Sequence, residues 1–380
     1  MHLVRPSFHS QNVLMSASSS SSMVNMAGGA ATSSQQSLLF ENIWNNPHIV
    51  GGAWLFSSAL FTTYSTTRYL KYQGTMASTQ SDRNKQRHQQ PSLILSKLSR
   101  PTLLTLCRFG GSLFLGLVAH PDGRVVERCI ATVAAARHFA WPALFLYVAN
   151  YMNSISLDRI GISLTYTSKC GIPLMTVLLT VLFGGTHELP SASALASLVP
   201  IAAGIACASW NSPSFEPLGF MAAMTSTLAQ SALNVSSKRA ISRTGIKGPE
   251  AQRAMVAVGL VLALGNTAIQ TWRSSPLHEN TNLNGDVSSS DEVFNVQQRP
   301  PAWLAGAAVL AYHIEYVLSF MFVRLVQPIT YGTCDAMRRL SIILTGQAMF
   351  GGPGFTRINV FGIALSLLGA LGYSIASSIK

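Results

Sequence analysis

The chain has 380 residues, of which 48% are hydrophobic and only 11% are charged, and its formal net charge is +12. Soluble domains carry about a quarter charged residues, so this composition excludes an ordinary soluble protein and indicates a membrane protein surrounded by lipid. The positive charge does not indicate nucleic-acid binding, because the basic cluster at Arg83, Lys85 and Arg87 has no aromatic residues between its charges.

Residues 1–48 form a Ser-rich segment, whose first forty residues contain one Arg and no acidic residue. This composition predicts a disordered tail or a cleavable targeting segment. It resembles a transit peptide. We therefore expect the folded domain to occupy residues 49–380, interrupted by a solvated loop at the polar stretch 274–300.

Ten apolar segments follow, each long enough for a spanning helix of about 20 residues. Turn sequences such as HPDG at 120–123 and GGPG at 351–354 separate them. The sequence therefore predicts an all-α integral membrane protein with ten transmembrane helices. The predicted spans are 49–70, 101–120, 129–153, 160–184, 191–210, 217–240, 252–272, 302–325, 329–350 and 358–379.

Lys169 and Arg338 occupy matching places in the fourth and ninth predicted helices. Each lies nine residues after the predicted helix start, about 14 Å along the axis and near the middle of the bilayer. The preceding stretches both contain Thr-Tyr, and Tyr166 in the first of them is a candidate substrate-binding residue. This correspondence favours two five-helix repeats with opposite orientations in the membrane, a plan common among secondary carriers.

Three basic residues in these two helices are the main candidates for substrate binding: Lys169, Arg338 and Arg339. A basic side chain at the centre of a spanning helix costs at least about 2.5–3.5 kcal/mol, so each should face a cavity or a partner. Together they suit a dianion such as a phosphate monoester, to which arginine presents paired donors. Asp335, three and four residues before the arginines, should offset part of this charge. The alternative is a salt-bridged pair in which one arginine is purely structural.

Other polar residues in the spans are weaker candidates. Glu315 could be a proton site, an acceptor for a sugar hydroxyl or a counter-ion to an arginine. Asn150 and Asn153, one turn apart, could line the same cavity or connect helices by hydrogen bonds. Arg108 and Arg137 are expected to lie nearer a helix edge or to be paired, and the sequence assigns them no role.

Two further sets of small residues are expected to serve packing. Gly362 and Gly369, spaced by seven, fit close contact between helices. The five cysteines stand singly and are expected to act as small packing residues. Their spacing predicts no metal site, and the sequence indicates no cofactor.

At these residues the chain resembles the triose-phosphate and phosphoenolpyruvate translocator family of the drug/metabolite transporter superfamily. The similarity runs from about residue 131 to the C-terminus. It is carried by SLDRIGISLTYTSK at 156–169 with Pro173, by SLVPIAAG at 197–204, by NVSSK at 234–238 and by the pair Arg338-Arg339. The resemblance implies a ten-helix, EamA-like carrier fold with phosphate contacts at Lys169, Arg338 and Arg339, and exchange of phosphorylated metabolites of three to six carbons.

Several positions depart from the family pattern. Arg338 stands where plastid members have Lys, Asn150 and Asn153 replace a His and a Thr that line the substrate site, and Glu315 replaces a Tyr. A carboxylate at position 315 would repel a second anionic group, so we expect a substrate that bears a carboxylate to be disfavoured.

The sequence thus predicts an antiporter that exchanges a sugar phosphate or another phosphorylated metabolite for inorganic phosphate across an organelle membrane. The Ser-rich leader favours the plastid envelope over the Golgi or endoplasmic reticulum. Strict exchange is expected, because closing an empty cavity would desolvate cations that repel one another. Membrane lipid is the other expected partner, and a homodimer is one alternative for assembly.

Three other functions stay open at this point. They are a nucleotide-sugar transporter of the Golgi or endoplasmic reticulum, a non-transporting membrane interaction protein, and a polytopic enzyme acting on a lipid phosphate. The enzyme is not expected, since Asp335 and His313 are the only plausible acid–base residues beside the basic cluster.

Overall fold

The structure is a computed structural model that describes residues 46–72, 98–118, 124–184, 191–210, 215–246, 248–273, 300–326, 328–351 and 356–376. The predicted N-terminal segment, up to residue 45, and the predicted polar loop, up to residue 299, lie outside the described residues.

All regular structure in these ranges is helical. The helices are α1 (Pro47–Phe56), α2 (Thr63–Leu70), α3 (Arg100–Val118), α4 (Val125–Ala136), α5 (Ala140–Arg159), α6 (Gly161–Lys169), α7 (Ile172–Gly184), α8 (Ala192–Ala196), α9 (Leu198–Ser209), α10 (Pro217–Thr244), α11 (Gly248–Arg273), α12 (Ala302–Leu325), α13 (Pro328–Phe350) and α14 (Arg357–Ala376). A π-helical turn, Ser57–Thr62, joins α1 to α2, and a 3₁₀ turn, Arg137–Phe139, joins α4 to α5.

Seven helical stretches of the described chain are long and apolar enough to cross a membrane, and each overlaps one predicted span. They are Arg100–Val118, Val125–Arg159, Gly161–Leu179, Ala192–Ser209, Gly248–Trp272, Ala302–Phe322 and Arg357–Ala376. The all-helical membrane class is therefore confirmed.

The other three predicted spans are helical but do not meet the same criterion. The first is divided by the π-helical turn, α10 is rich in Ser, Thr, Gln and Asn, and α13 carries Asp335, Arg338 and Arg339. Ten spans and the inverted repeat stay predictions.

The fourth predicted span is broken at its centre, whereas the sequence predicts a continuous helix over 160–184. Helix α6 ends at Lys169, and α7 begins at Ile172. Pro173 has no N–H to continue the helical ladder, and the amide of Gly171 instead donates to the Ser168 carbonyl at 3.0 Å in a tight turn. The break places Lys169 at the end of a half-helix, an irregularity that membrane proteins tolerate where the backbone is buried in protein or lines a cavity.

Hydroxyl groups of α10 satisfy carbonyl groups around this break. Thr227 donates to the Ser168 carbonyl at 3.3 Å, and Ser231 donates to the Ile172 carbonyl at 3.0 Å. Serine and threonine can thus stabilise irregular backbone at membrane depth, where water is not available.

Helices α9 and α14 lie almost backbone to backbone. A methyl group added at Gly204 would lie 2.7 Å from the Gly362 carbonyl oxygen, and one added at Gly362 would lie 2.6 Å from the Gly204 carbonyl oxygen. A methyl group at Gly369 would lie 2.8 Å from the Ile201 amide. The packing role predicted for Gly362 and Gly369 is confirmed, because only glycine allows this approach.

Candidate functional site

A polar cavity of about 130 Å³ lies between α1, α2, α3, α5, α6, α7, α10, α12 and α13. Every residue that the sequence proposed for substrate binding or for tuning its charge lines this cavity: Asn150, Asn153, Tyr166, Lys169, Glu315, Asp335, Arg338 and Arg339. The fold thus brings Asn150 and Arg339, which are 189 positions apart in the chain, to the same cavity. Their individual roles in binding stay predictions.

Arg338 and Arg339 are held in a network with two carboxylates. Arg338 Nη1 donates to Glu315 Oε1 at 2.7 Å, and Arg338 Nη2 donates to Asp335 Oδ1 at 2.7 Å. Arg339 Nε donates to the other oxygen of Asp335, Oδ2, at 3.0 Å, and Arg339 Nη2 contacts the same oxygen. Two carboxylates therefore balance the two guanidinium charges.

This pairing changes the interpretation of Glu315. The sequence left three roles open, and the structure places its carboxylate as a counter-ion to Arg338. Since the guanidinium compensates the negative charge, the reason for expecting Glu315 to repel a second anionic group is removed.

Aromatic side chains fix the orientation of Arg338. Its guanidinium carbon lies 5.0 Å from the centre of the Trp54 ring, and Trp54 stacks on Tyr331 with ring centres 5.3 Å apart. A cation over the face of an indole ring gains favourable electrostatic energy. Trp54 on α1 thus belongs to the cavity wall, although the family resemblance is faint in the first two predicted helices.

Lys169 is a cation of the cavity without a carboxylate partner in the described part of the chain. Its Nζ lies 5.8 Å from the centre of the Tyr166 ring, one turn earlier on α6. No carboxylate of the described residues lies within ion-pair distance of this ammonium group. Helix α6 packs against α13, which carries the arginine pair.

Arg108 is a second cation of the cavity without a carboxylate partner among the described residues, and the sequence analysis assigned it no role in binding. It lies in the middle of α3, about 12 Å from the start of the helix, and is only 3% exposed. Its guanidinium donates to the Thr66 hydroxyl and lies 5.4 Å from the centre of the Tyr312 ring. The insertion cost that drew attention to Lys169 applies equally to Arg108 and would have identified it.

Other polar side chains of the cavity differ in whether they have hydrogen-bond partners. Asn150 Nδ2 donates to the Leu146 carbonyl at 2.9 Å and to the Tyr316 hydroxyl at 3.3 Å, so this amide connects α5 to α12. Asn153 Oδ1 has no hydrogen-bond partner within the described ranges. Buried polar atoms are normally paired, so this amide oxygen is available to a ligand or water.

His313 lies away from this cavity. Its Nδ1 is hydrogen-bonded to Ser112 Oγ at 3.1 Å, and it lines a separate cavity of about 200 Å³ with Gln252 and Arg253. His313 and Glu315 are two positions apart on α12, about 200° around the helix axis, which explains why they face different spaces.

The structure has membrane-length helices around a polar cavity, and no described carboxylate balances two basic side chains of that cavity. These features define a polytopic membrane protein with a positively charged internal site. The family follows from sequence comparison. Residues 91–374 match the model of the Triose-phosphate Transporter family, and the chain belongs to this family. The resemblance inferred from the sequence is confirmed.

Curated relatives include three plant proteins. The non-green plastid triose phosphate/phosphate translocator of Brassica oleracea var. botrytis is 28% identical over 76% of this chain and 68% of its own length. Phosphoenolpyruvate/phosphate translocator 3 of Oryza sativa subsp. japonica is 30% identical over 69% and 62%, and phosphoenolpyruvate/phosphate translocator 2 of Arabidopsis thaliana is 27% identical over 61% and 58%. The matched part of the chain thus spans less than two thirds of the last two relatives.

Proposed function

We propose that this protein is a secondary transporter that exchanges a sugar phosphate or another phosphorylated metabolite for inorganic phosphate across an organelle membrane. The observation that carries the proposal is the unbalanced positive charge of the cavity. Arg338 and Arg339 are matched by Glu315 and Asp335, whereas Lys169 and Arg108 have no described carboxylate partner. A buried charge without a partner is costly, and a bound anion would remove that cost.

The relatives support phosphate as the shared part of the substrate. Their names describe translocators of phosphate together with triose phosphate, phosphoenolpyruvate, glucose 6-phosphate or xylulose 5-phosphate. All are described as chloroplastic, which supports the plastid envelope as the location. Because the organic parts differ among proteins of similar identity, these names do not select one sugar phosphate for this chain.

In the proposed mechanism, the phosphate group lies beside Lys169 and the arginine pair. Its oxygens accept hydrogen bonds from the ammonium group and take over guanidinium donors from Asp335 or Glu315. Ten spans arranged as inverted repeats would then close the cavity alternately from each side. Closure around an empty cavity would desolvate the unbalanced cations, whereas closure around a bound anion would not, so transport should proceed as strict exchange.

Catalysis is a poorer explanation of the same geometry. Asp335, one of two acid–base candidates, accepts hydrogen bonds from two guanidinium groups, and His313, the other, lines a different cavity. General acid–base chemistry needs a group within hydrogen-bond reach of the reacting atom and free to exchange a proton.

The test is exchange in proteoliposomes that are preloaded with phosphate and offered labelled phosphate, triose phosphate, pentose phosphate, hexose phosphate and nucleotide sugars. Lys169→Gln should lower phosphate exchange by about tenfold to a hundredfold, because a hydrogen bond to a charged group contributes about 1.5–3 kcal/mol. Lys71→Gln, at an exposed position after α2, makes the same chemical change outside the cavity and should exchange at the wild-type rate. Undiminished exchange by Lys169→Gln would show that the proposed site is wrong. Rapid uptake into phosphate-free vesicles would contradict strict exchange.

A further inference from the structure

Arg108 carries a charge that the phosphate site does not explain. Helix α3 packs mainly against α11 and α12, whereas α6, which carries Lys169, packs mainly against α10 and α13; both helices also contact α5. The two unbalanced cations therefore lie on different walls of the cavity. A phosphate group placed beside Lys169 and the arginine pair leaves the Arg108 guanidinium with a hydroxyl and an aromatic ring as its only partners among the described residues.

We propose that Arg108 binds a second anionic group of the substrate, a carboxylate, so that the cavity selects a phosphate ester of a carboxylic acid. This proposal rests on the proposed function and specifies its substrate class. The two groups of such a substrate would be bound at opposite ends of the molecule, the phosphate at α6 and α13 and the carboxylate at α3.

The surroundings of Arg108 suit a carboxylate. The guanidinium group is planar and presents parallel donors that match the two oxygens of a carboxylate, which a neutral hydroxyl or carbonyl does not match. The bond to Thr66 and the Tyr312 ring hold the guanidinium in place, so little side-chain entropy is lost when the ligand binds.

Glu315 does not oppose this arrangement. Its carboxylate is bound to Arg338 at 2.7 Å, and both side chains are largely buried, so its charge is compensated by a nearby cation. By contrast, the charge of Arg108 has no such compensation in the described structure. The local charge balance therefore favours an anionic group next to α3. The residue types alone had suggested that the cavity disfavours a carboxylate.

The experiment compares two three-carbon substrates that share the phosphate-bearing end and differ in charge at the other end. 3-Phosphoglycerate carries a carboxylate where dihydroxyacetone phosphate carries a neutral hydroxymethyl group, and a hydroxyl where dihydroxyacetone phosphate carries a ketone. In exchange against internal phosphate, wild-type protein should transport both, and Arg108→Gln should lower kcat/KM for 3-phosphoglycerate at least about tenfold more than for dihydroxyacetone phosphate. Arg108→Lys, which keeps the charge but not the paired donors, should recover part of the preference. Arg137→Gln, at an exposed position, is the matched control and should preserve it.

The possible failures are distinguishable. If wild-type protein transports dihydroxyacetone phosphate but not 3-phosphoglycerate, or if Arg108→Gln changes both substrates equally, the role of Arg108 is wrong and the proposed exchange of phosphate esters stands. If wild-type protein exchanges no phosphate ester, both proposals fail. If Arg108→Gln does not accumulate as folded protein, the proposal is tested by heat denaturation of the wild-type protein in the presence of each substrate. Stronger protection by 3-phosphoglycerate than by dihydroxyacetone phosphate at equal concentration supports the proposal, and equal protection overturns it.

Discussion

The network around Asp335 makes a quantitative prediction about stability. Asp335 contacts both arginines, and Arg339, which is 6% exposed, has no other carboxylate partner in the described structure. Replacing Asp335 with Asn keeps the shape of the side chain and removes its charge. Arg338 would retain Glu315, but Arg339 would become a buried charge without a counter-ion.

The expected loss follows from this geometry. Breaking a buried ion pair by removing one partner costs about 3–5 kcal/mol, because the remaining charge is left uncompensated. An exposed pair provides the control: the side chains of Arg159 and Glu216 are 44% and 39% exposed. Glu216→Gln should therefore cost only about 0–1 kcal/mol.

Thermal denaturation of purified protein in detergent, with and without phosphate, measures both effects. Phosphate should stabilise Asp335→Asn more than it stabilises the wild type, since its oxygens can replace the missing carboxylate next to Arg339. A ligand at a hundred times its dissociation constant contributes about 2.7 kcal/mol, enough to restore most of the loss. The reasoning fails if Asp335→Asn is no less stable than Glu216→Gln, or if phosphate stabilises the variant less than the wild type.

Two further predictions address the charge balance and the helix packing. Glu315→Gln removes the counter-ion of Arg338 and raises the net positive charge of the cavity, so the KM for phosphate should fall about threefold to tenfold; an increase in KM would show that Glu315 itself contacts the substrate. Gly362→Ala should lower thermal stability by about 1–3 kcal/mol because its methyl group would meet the backbone of α9. Gly306→Ala, whose added methyl group would meet no atom within 4 Å, should be neutral or stabilising, and equal effects of the two changes would contradict the close packing of α9 and α14.

The sequence could reveal those features of the site that are local. A basic residue inside an apolar segment is costly wherever the rest of the chain lies, so Lys169, Arg338 and Arg339 were identifiable from the sequence alone. Spacing of three and four residues placed Asp335 beside both arginines, because it lies on the same helix. The glycine pattern of α14 predicted close packing for the same reason.

Only the tertiary structure could decide which distant groups meet. Glu315 on α12 binds Arg338 on α13, and Arg108 on α3 contacts Thr66 on α2 and Tyr312 on α12. No sequence periodicity encodes these contacts. These pairings decide which charges are balanced. The sequence therefore determined that a membrane-embedded cationic site exists, whereas the fold decided that Lys169 and Arg108 carry its unbalanced charge, because compensation depends on distance in space and not on position in the chain.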